Sequence, residues 1–388
     1  MHVTPYQDDV FLPESYHDIE KQVKANDIII VASTGSKTII GKAGYIDSVL
    51  DNTQIGAFLR IIRPLFAEIV PYIKLVFATK FYMDYISNQS GGTNINNIKT
   101  EHVAKLLIPI PSLSEQERVA FRVKNLFSKL DIIDSNQSDI ETLYDELKKR
   151  TLDLAIQGKL VPQDENDEPA SVLLEKIRAE KKAKLGKKYV DSYIYKGDDN
   201  CYYEKVGSEV KNITEEILFN IPETWEWIRL KQVIDFSRSN SVSSNQLPDN
   251  AWILDLEDIE KDSGIVIRKK RMYEVKAKSD KHSFCRGNVL YSKLRPYLNK
   301  VVVADEDGYC TSEILSFDFS PIVSKYAQAY LMSPFFVDYA MSGAYGVKMP
   351  RIGSERGNNA LMPLPPLQEQ QRIALQVQVI FSKLKDEI

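Results

Sequence analysis

The stretch PIPSLSEQERV at residues 109–119 returns as PLPPLQEQQRI at residues 363–373, a shift of 254 residues. The same shift relates FSKL at 127–130 to FSKL at 381–384. A period of this length is far above the roughly 20–50 residues of solenoid repeats. The sequence therefore contains one module twice, and each copy consists of a globular domain followed by a helix.

Composition bounds the class of protein. A chain of 388 residues with 43% hydrophobic residues is long enough for two or three domains with sizeable cores. Cys201, Cys285 and Cys310 form no CxxC pair, which argues against disulfides and zinc sites. With no signal pattern and no apolar run of about 18 residues, we expect a cytoplasmic protein without membrane contact. The net charge of −4 leaves room for local basic surfaces only.

The order of apolar runs predicts the same mixed α/β (α+β) fold in both copies. Each copy has short β-rich runs broken by Gly, Ser and Asn, followed by an apolar helix. In module one the runs are 27–32, 37–44 and 57–62, with the helix at 70–86; in module two they are 288–291, 300–304 and 314–319, with the helix at 324–341. We therefore expect two related globular domains.

Each domain is followed by a helix with apolar residues in steps of four and three, the spacing of a coiled-coil seam. Ser114 with Glu117 forms a capping box at the start of the central helix, and Gly158 stands where a C-terminal glycine belongs. The seam residues are Val119, Val123, Leu126, Leu130, Ile133, Ile140, Tyr144 and Leu147 in the central helix and Ile373, Val377, Ile380 and Leu384 in the shorter C-terminal helix.

A long amphipathic helix cannot bury its seam alone, so we expect the two helices to pair antiparallel. The alternative is that each helix packs only on its own domain. Residues 161–203, between the copies, are charge-rich and are either a solvated linker or a phosphate-binding patch. The predicted boundaries are 1–111 for the first domain, 112–158 for the central helix, 159–212 for the linker, 213–366 for the second domain and 367–388 for the C-terminal helix.

The two copies differ at their starts. Module two opens with a section from Ile221 to about Asp262 that has no counterpart in module one. We therefore expect the first domain to be N-terminally incomplete.

No catalytic motif is convincing. Residues 32–38, ASTGSKT, suggest a phosphate-binding loop, but Ser36 replaces the glycine required before the lysine. Asp258 with Glu274 and Lys276 loosely matches a nuclease pattern, although such patterns arise often by chance. The four histidines lack metal or triad spacing, and no loop for a flipped adenine is present. Two similar domains joined by a spacer indicate a protein that binds two related targets at a set distance.

The combination of motifs resembles the DNA-specificity (S) subunit of type I restriction-modification systems. The matching segments are the proline-rich run after each domain, AIQGKLVPQ at 155–163, EPAS at 168–171, IRAEK at 177–181 and the opening of module two from Ile221-Pro222 to Trp225. In combination these segments are specific, and they cover nearly the whole chain.

The resemblance implies a non-catalytic subunit. Each domain would be a target recognition domain that reads one half of a split, asymmetric site on double-stranded DNA. The helices would set a gap of roughly one DNA turn and dock two methyltransferase (M) subunits, accompanied by restriction (R) subunits. The seam residues then become candidate subunit-interface residues. The chain would bind no cofactor itself, and S-adenosylmethionine, ATP and Mg would be held by the partner subunits.

The resemblance also places DNA-contacting loops just before each proline-rich run, at 91–96 and 343–351. Residues 237–241 and 293–300 are further candidates because they combine cations, amides and an aromatic ring. The alternative is that these segments only connect helix to strand. The candidate DNA-binding residues are Thr93, Asn94 and Asn96 in module one and Arg238, Ser239, Asn240, Lys293, Arg295, Tyr297, Asn299, Lys300, Tyr345, Lys348 and Arg351 in module two.

Two functions of other classes stay open at this point. One is a coiled-coil scaffold without DNA affinity, and the other is a nuclease or methyltransferase whose site is not recognisable from the sequence.

Overall fold

A buried strand of β-branched residues, Ile28–Val31, forms the centre of the first sheet. The computed structural model describes residues 10–48, 50–89, 96–237, 240–275, 279–346 and 348–386. By its internal contacts the chain divides into two compact units, Met1–Ser138 and Asp139–Ile388. The elements that begin in unit 1 are β1 (Ile28–Val31), β2 (Ser33–Thr34), β3 (Ala43–Tyr45), β4 (Leu59–Ile62), α1 (Val70–Ala78), α2 (Lys80–Gln89), β5 (Asn96–Asn97), α3 (Thr100–Ala104) and α4 (Leu113–Ile156), which continues into unit 2.

Unit 1 places helices against one antiparallel sheet. The sheet has the order β3-β1-β4, and a separate pair joins β2 to β5. Ile28 and Ile30 on β1 share a buried cluster with Phe77 of α1 and with Tyr82 and Ile86 of α2. The alternation of these isoleucines along the strand therefore sets which face of the sheet the helices cover.

Unit 2 holds the remaining elements. They are α5 (Ala170–Leu185), β6 (Ser192–Lys196), β7 (Tyr202–Val206), β8 (Glu209–Asn212), β9 (Glu226–Arg229), β10 (Ser241–Val242), β11 (Trp252–Leu254), β12 (Lys270–Arg271), α6 (Met272–Val275), β13 (Lys281–Phe284), β14 (Val289–Ser292), β15 (Val301–Val303), β16 (Gly308–Cys310), β17 (Ile314–Phe317), α7 (Ser324–Met332), α8 (Pro334–Ser342), α9 (Ser354–Asn359), β18 (Leu361–Leu364) and α10 (Leu367–Asp386).

The sheet β15-β14-β17 of unit 2 repeats the sheet β3-β1-β4 of unit 1, with both outer strands antiparallel to the centre. A five-stranded sheet, β10-β13-β16-β11-β12, and the pair β18-β9 are added to it. The charged linker predicted between the copies is folded, because it contains α5 and the antiparallel meander β6-β7-β8. The mixed α/β class predicted from the sequence is confirmed.

The duplication extends to single hydrogen bonds. Helices α1, α2 and α3 correspond to α7, α8 and α9, and α4 and α10 both begin at the leucine of the proline-rich run. Three side-chain hydrogen bonds of module one recur in module two at the 254-residue shift. Tyr72 Oη donates to Pro109 O at 2.8 Å, as Tyr326 Oη does to Pro363 O at 2.6 Å; Gln116 Nε2 donates to Pro111 O, as Gln370 Nε2 does to Pro365 O, both at 2.9 Å. Tyr85 Oη donates to His102 O at 2.9 Å, as Tyr339 Oη does to Arg356 O at 3.0 Å.

The single helix predicted after each sheet is broken in both modules. In module two Ser333 has an extended backbone between α7 and α8, and its Oγ accepts a hydrogen bond from Phe336 N at 3.3 Å. In module one Thr79 does the same, accepting from Tyr82 N at 3.2 Å. A hydroxyl that caps a new helix competes with continuation of the old one, so the apolar periodicity alone missed the break.

The central helix α4 spans 44 residues, as the heptad predicts. It begins at Leu113, so Ser114 lies inside the first turn rather than at the cap, and the Ser112 carbonyl accepts from the amides of Glu115 and Gln116. Gly158 ends the segment with φ +69°, as predicted. No helix among the described residues is both long and apolar enough to cross a membrane.

The seam residues of the two helices differ in burial. On α4, Val119, Leu126, Leu130, Ile133, Ile140 and Leu147 are exposed, whereas Val123 and Tyr144 are half-buried. On α10, Ile373 and Val377 lie in the core together with Tyr326 and Tyr330 of α7, Leu384 is buried and Ile380 is half-buried. The packing of α10 on α7 follows the alternative in which a helix covers its own domain.

The segment that follows α4 nevertheless contacts the start of α10. Glu369 accepts hydrogen bonds from Gln163 Nε2 and, at 2.8 Å, from Trp225 Nε1. Arg372 binds Asp167 at 2.6 Å. The segment that leaves α4 is thus tied to the first turn of α10.

The duplicated tyrosines allow a matched test of the hydrogen bond to the proline-rich run. Tyr326→Phe leaves the buried Pro363 carbonyl without this donor and should lower the free energy of unfolding of unit 2 by about 1–3 kcal/mol. Tyr72→Phe should cost less than about 1 kcal/mol, because Tyr72 is only half-buried and water can replace its hydroxyl. Urea unfolding followed by hydrogen exchange in each unit measures both changes, and equal losses would contradict this explanation.

Candidate nucleic-acid interface

Two of the predicted segments of module two form one surface. The first follows β14 and comprises residues 293–300; the second lies between α8 and α9 and comprises residues 343–351. Arg295 N donates to Pro350 O at 2.7 Å, and Ile352 N donates to Lys293 O at 3.2 Å. Leu294 and Arg351 form a β-bridge. We call these two segments the paired loops.

The backbone of the first paired loop is held in an uncommon conformation. Arg295 and Asn299 both have left-handed φ values, +51° and +50°, on either side of a short helical turn at Pro296–Leu298. A left-handed residue other than glycine costs roughly 1–2 kcal/mol. The amide of Arg295 is fixed by Pro350 O, and Asn299 Nδ2 donates to Met332 O at 2.9 Å. These contacts hold the turn in place and leave Tyr297, at its tip, 48% exposed.

The predicted residues of the paired loops separate into two groups. Tyr297, Tyr345 and Lys348 are exposed, and Arg295 and Lys293 are partly exposed. Lys300 instead donates from Nζ to the Leu256 carbonyl at 2.6 Å, and burial lowers its pKa. Asn299 is likewise engaged by Met332. Lys300 and Asn299 therefore have partners within the domain that support the loop.

Arg351 has an internal partner as well. Its Nε and Nη2 atoms donate to the two carboxylate oxygens of Glu313 at 3.1 and 3.2 Å. This bidentate pair raises the pKa of Arg351. Glu313 also accepts the Lys293 amide on its backbone carbonyl at 3.0 Å, so the pair ties β17 to both loops.

The third predicted segment of module two lies beside the paired loops. Ser283 N donates to Asn240 O at 3.0 Å, and Ser241 pairs with His282 across β10 and β13. Burial, and next the positive charge of Lys293, lower the pKa of His282. Asn240 is exposed, whereas Arg238 and Ser239 lie outside the described residues.

Module one has an equivalent arrangement. Ser33 pairs with Asn97 and Thr34 with Asn96, and Ile98 N donates to Ala32 O at 2.7 Å. These contacts match the Leu294–Arg351 bridge and the bond from Ile352 N to Lys293 O in module two. Thr93 and Asn94 lie outside the described residues, and Asn96 is buried, so its side chain does not face solvent.

The equivalence reveals further candidate residues that the sequence analysis missed. Strand β1 corresponds to β14 at a shift of 261 residues rather than 254, so residues 33–38 occupy the place of the first paired loop. Lys37 and Thr38 are exposed, and the hydroxyls of Ser36 and Thr38 lie 2.9 Å apart. The signal was the ASTGSKT stretch, which the sequence analysis set aside as a poor phosphate-binding loop.

The residues suspected of nuclease chemistry are engaged elsewhere. Asp258 is buried and pairs with Lys270 Nζ at 2.7 Å, while Glu274 accepts the Arg271 amide at 2.7 Å. In the part of the chain that the structure describes, no group of three or more His, Cys, Asp or Glu is placed to hold a metal. Lys276 lies outside that part.

The fold is duplicated: along the chain, two related domains that each carry neighbouring loops are separated by a long helix. Comparison with known proteins agrees. The family described as "Type I restriction modification DNA specificity domain" matches residues 14–142. The chain is therefore similar to the DNA-specificity subunits of type I restriction-modification systems.

The sequence identity to known proteins is low, but the matches cover most of this chain. The EcoDI specificity subunit of Escherichia coli is 25% identical over 299 residues, covering 76% of this chain and 60% of the relative. The StySPI specificity subunit of Salmonella potsdam is 25% identical over 378 residues, covering 96% of this chain and 71% of the relative. The chain thus spans about 60% of the length of the EcoDI subunit, and it spans 37% of the EcoKI subunit.

A solved structure shows the same fold. It comes from a study of complex assembly and conformational transition of the type I R-M system, and it has a TM-score of 0.53 at 17% sequence identity. The match covers 94% of this chain and 76% of the other.

Proposed function

We propose that this protein gives a type I restriction-modification complex its DNA specificity, and that each module reads one half of a bipartite, asymmetric site. The observation that carries the proposal is the repeated placement of two loops side by side at the end of a central strand, once in each module. Methylation and cleavage belong to M and R subunits, which hold S-adenosylmethionine, ATP and Mg. The chain contributes binding energy and register in the cytoplasm.

In module two the exposed groups suit a DNA backbone and groove. Arg295 and Lys348 are cations at the surface of the paired loops, and they would contact phosphates or base edges. Tyr297 and Tyr345 add half-exposed aromatic rings with hydroxyls. Arg351 pairs with the carboxylate of Glu313, and this ion pair helps to hold the paired loops in position.

In module one the same place carries hydroxyls and one lysine. The hydroxyls of Ser36 and Thr38 and the ammonium of Lys37 can all donate to phosphate oxygens. Among the described residues, the first loops of the two modules carry different exposed side chains, which suits half-sites of different sequence.

The helices would set the distance between half-sites and dock the partners. Helix α4 has 44 residues, and at about 1.5 Å per residue it is roughly 66 Å long. Its exposed leucine and isoleucine side chains form an apolar stripe, and exposed apolar surfaces of this kind mark interaction sites. A pair of M subunits on this seam would cover it and hold a gap of roughly one DNA turn.

Methylation mapping tests the whole proposal. Co-expression with the cognate M subunit in a methylation-free host, followed by single-molecule sequencing, should reveal one split motif with a modified adenine in each half. A motif restricted to one half, repeated or palindromic, would show that only one module reads DNA. No modification at all would favour the scaffold or enzyme alternatives.

Two pairs of variants, one of arginines and one of lysines, test the loops directly, and each pair consists of a loop residue and its control. Arg295→Ala and Lys37→Ala should each weaken DNA binding and reduce the slope of log K against log salt by about one. The tested residues follow strands β14 and β1. Arg286 and Lys24 are exposed cations that precede the same strands. Arg286→Ala and Lys24→Ala are therefore matched controls, and we expect them to have little effect on DNA binding. A salt titration of affinity measures the change. A scaffold without DNA affinity would show no salt-dependent binding in any variant.

The seam of α4 is tested by Leu126→Asp combined with Leu130→Asp. Both side chains are about half exposed, at 49% and 52%, so the two domains should stay folded while charges disrupt the apolar surface. We expect loss of co-purification with the M subunit and unchanged circular dichroism. Leu218→Asp, at a loop residue that is 74% exposed, controls for the added charge, and co-purification of the double variant would contradict the docking role.

A further inference from the structure

The segment between the two modules contains a small sheet whose two faces differ. In the antiparallel meander β6-β7-β8, Ile194 lies opposite Glu204, and these side chains are only 5% and 7% exposed. Successive side chains of a strand point to opposite faces of the sheet, so their neighbours along the strands share the other face. We call this other face the tyrosine face, and its residues are Tyr193, Tyr195, Tyr203, Lys205, Val210 and Asn212.

The buried face fixes the meander to the core of unit 2. Ile194 shares a buried cluster with Trp227 and Leu361. Arg229, on β9, donates from Nε and Nη2 to Glu204 Oε2 at 3.0 and 2.8 Å, and both partners of this ion pair are buried. The tyrosine face is therefore the side turned away from the core. Residues 96–237, which contain the meander and both of its flanks, are described without a gap.

The tyrosine rings form a row with cations at one end. The Tyr195 and Tyr203 rings are stacked, with centroids 5.7 Å apart and an angle of 26° between their planes, and Tyr193 lies 5.8 Å from Tyr195. The Arg178 guanidinium is 5.0 Å from the Tyr193 centroid, and Lys205 Nζ is 5.9 Å from it. Tyr195, at the centre of the row, is 38% exposed. Ring faces and cations are the two elements with which proteins hold unpaired bases and their phosphates.

The charge of this region has the sign that a polyanion requires. Between residues 178 and 212, nine lysines and arginines stand against six carboxylates, although the whole chain has a net charge of −4. Lys187 and Lys188 are exposed and come shortly before Asp191. The Asp191 carbonyl accepts the Gly207 amide, in the turn between β7 and β8, at 2.8 Å. The lysine-rich run after α5 thus leads directly into the sheet.

The tyrosine face itself carries a cation and no carboxylate. Lys205 is the charged residue among its six positions. Two carboxylates beside the face have partners: Asp191 accepts from Arg178 Nε at 2.9 Å, and Asp199 accepts from the Tyr203 hydroxyl at 2.7 Å. Asp191 is thus paired with a cation at the end of the row where Lys205 lies. A phosphate that approaches this end meets net positive charge.

We propose that the tyrosine face binds a single strand of nucleic acid. Bases stack on Tyr195 and Tyr203, and Lys205 with Lys187 and Lys188 contacts the phosphates. The strand must be unpaired, because the ring faces of paired bases are already stacked inside a duplex. Every base has a ring face, so this site tolerates any sequence. It shares no residue with the paired loops and does not depend on the function proposed for them.

A labelled oligothymidylate of about twelve nucleotides is the probe, because sites for single strands cover roughly 4–16 nucleotides. Fluorescence anisotropy against the full chain should show saturable binding that weakens with salt. Tyr195→Leu keeps an apolar side chain but removes the ring, and it should weaken binding about fivefold or more. Lys205→Gln should reduce the slope of log K against log salt by about 0.7.

Two variants are matched controls. Tyr273→Leu removes a tyrosine that is 59% exposed on α6. Lys211→Gln removes a lysine from the other face of the same meander, where it pairs with Glu216 at 3.1 Å. Both should leave the affinity for the oligothymidylate unchanged. Circular dichroism of all four variants should match that of the unmodified chain.

A comparison with duplex DNA separates this site from the paired loops. Tyr195→Leu should lose affinity for the oligothymidylate only, whereas Arg295→Ala should retain it whatever its effect on duplex binding. Photo-crosslinking of an oligonucleotide that carries 5-iodouracil should label Tyr195 or Tyr203. An oligouridylate of the same length distinguishes RNA from DNA; binding of either strand supports the proposal, and the tighter one identifies the strand that the site takes.

Four results would overturn the proposal. Neither strand binds saturably, Tyr195→Leu and Lys205→Gln both bind as tightly as the unmodified chain, or the crosslink forms on the paired loops. The fourth is that assembly with the M subunit abolishes binding of both strands, because the tyrosine face would then be an interface between proteins.

Discussion

In both copies a proline-rich run connects the globular domain to the following helix, and the rest of the structure depends on how this run is held in place. Proline lacks an N–H group, so this run cannot be fixed by a full ladder of backbone hydrogen bonds. Side chains supply what the backbone cannot: a tyrosine of the first domain helix donates to one proline carbonyl, and a glutamine of the following helix donates to another. These two bonds fix where α4 and α10 begin, and they are the same in both copies.

The two junctions differ in burial among the described residues. In unit 2 strand β18 is paired with β9, and the start of α10 is tied to the chain that leaves α4 through Glu369 and Arg372. Burial raises the pKa of Glu369, and the Trp225 indole donates to this carboxylate in the core. In unit 1 the corresponding Glu115 is exposed.

Sequence reasoning predicted the parts that repeat or follow a simple period. The 254-residue shift located both helix starts, and the heptad predicted the 44-residue helix. It missed the breaks at Thr79 and Ser333, because a capping hydroxyl leaves the apolar period unchanged. The loop at Lys37 was missed for a different reason. Strand β1 corresponds to β14 at a shift of 261 residues, so the 254-residue shift does not align residues 33–38 with the first paired loop.

The candidate site could be predicted by segment but not by side chain. Segments 293–300 and 343–351 do meet, yet Lys300 donates to Leu256 O and Asn96 is buried. Whether a polar residue faces solvent depends on which carbonyl lies within reach, and that is set by contacts far apart in the sequence.

The conformation of the first paired loop has an energetic consequence for recognition. Its two left-handed residues cost free energy when the protein folds. The hydrogen bonds donated by Arg295 N and Asn299 Nδ2 offset this cost. Little ordering of this loop then remains to oppose binding. Because these anchors are a backbone amide and the half-buried side-chain amide of Asn299, exposed residues such as Tyr297 and Lys348 can change without loss of the loop. A fixed scaffold with replaceable surface side chains is what a protein needs when related domains must read different sequences.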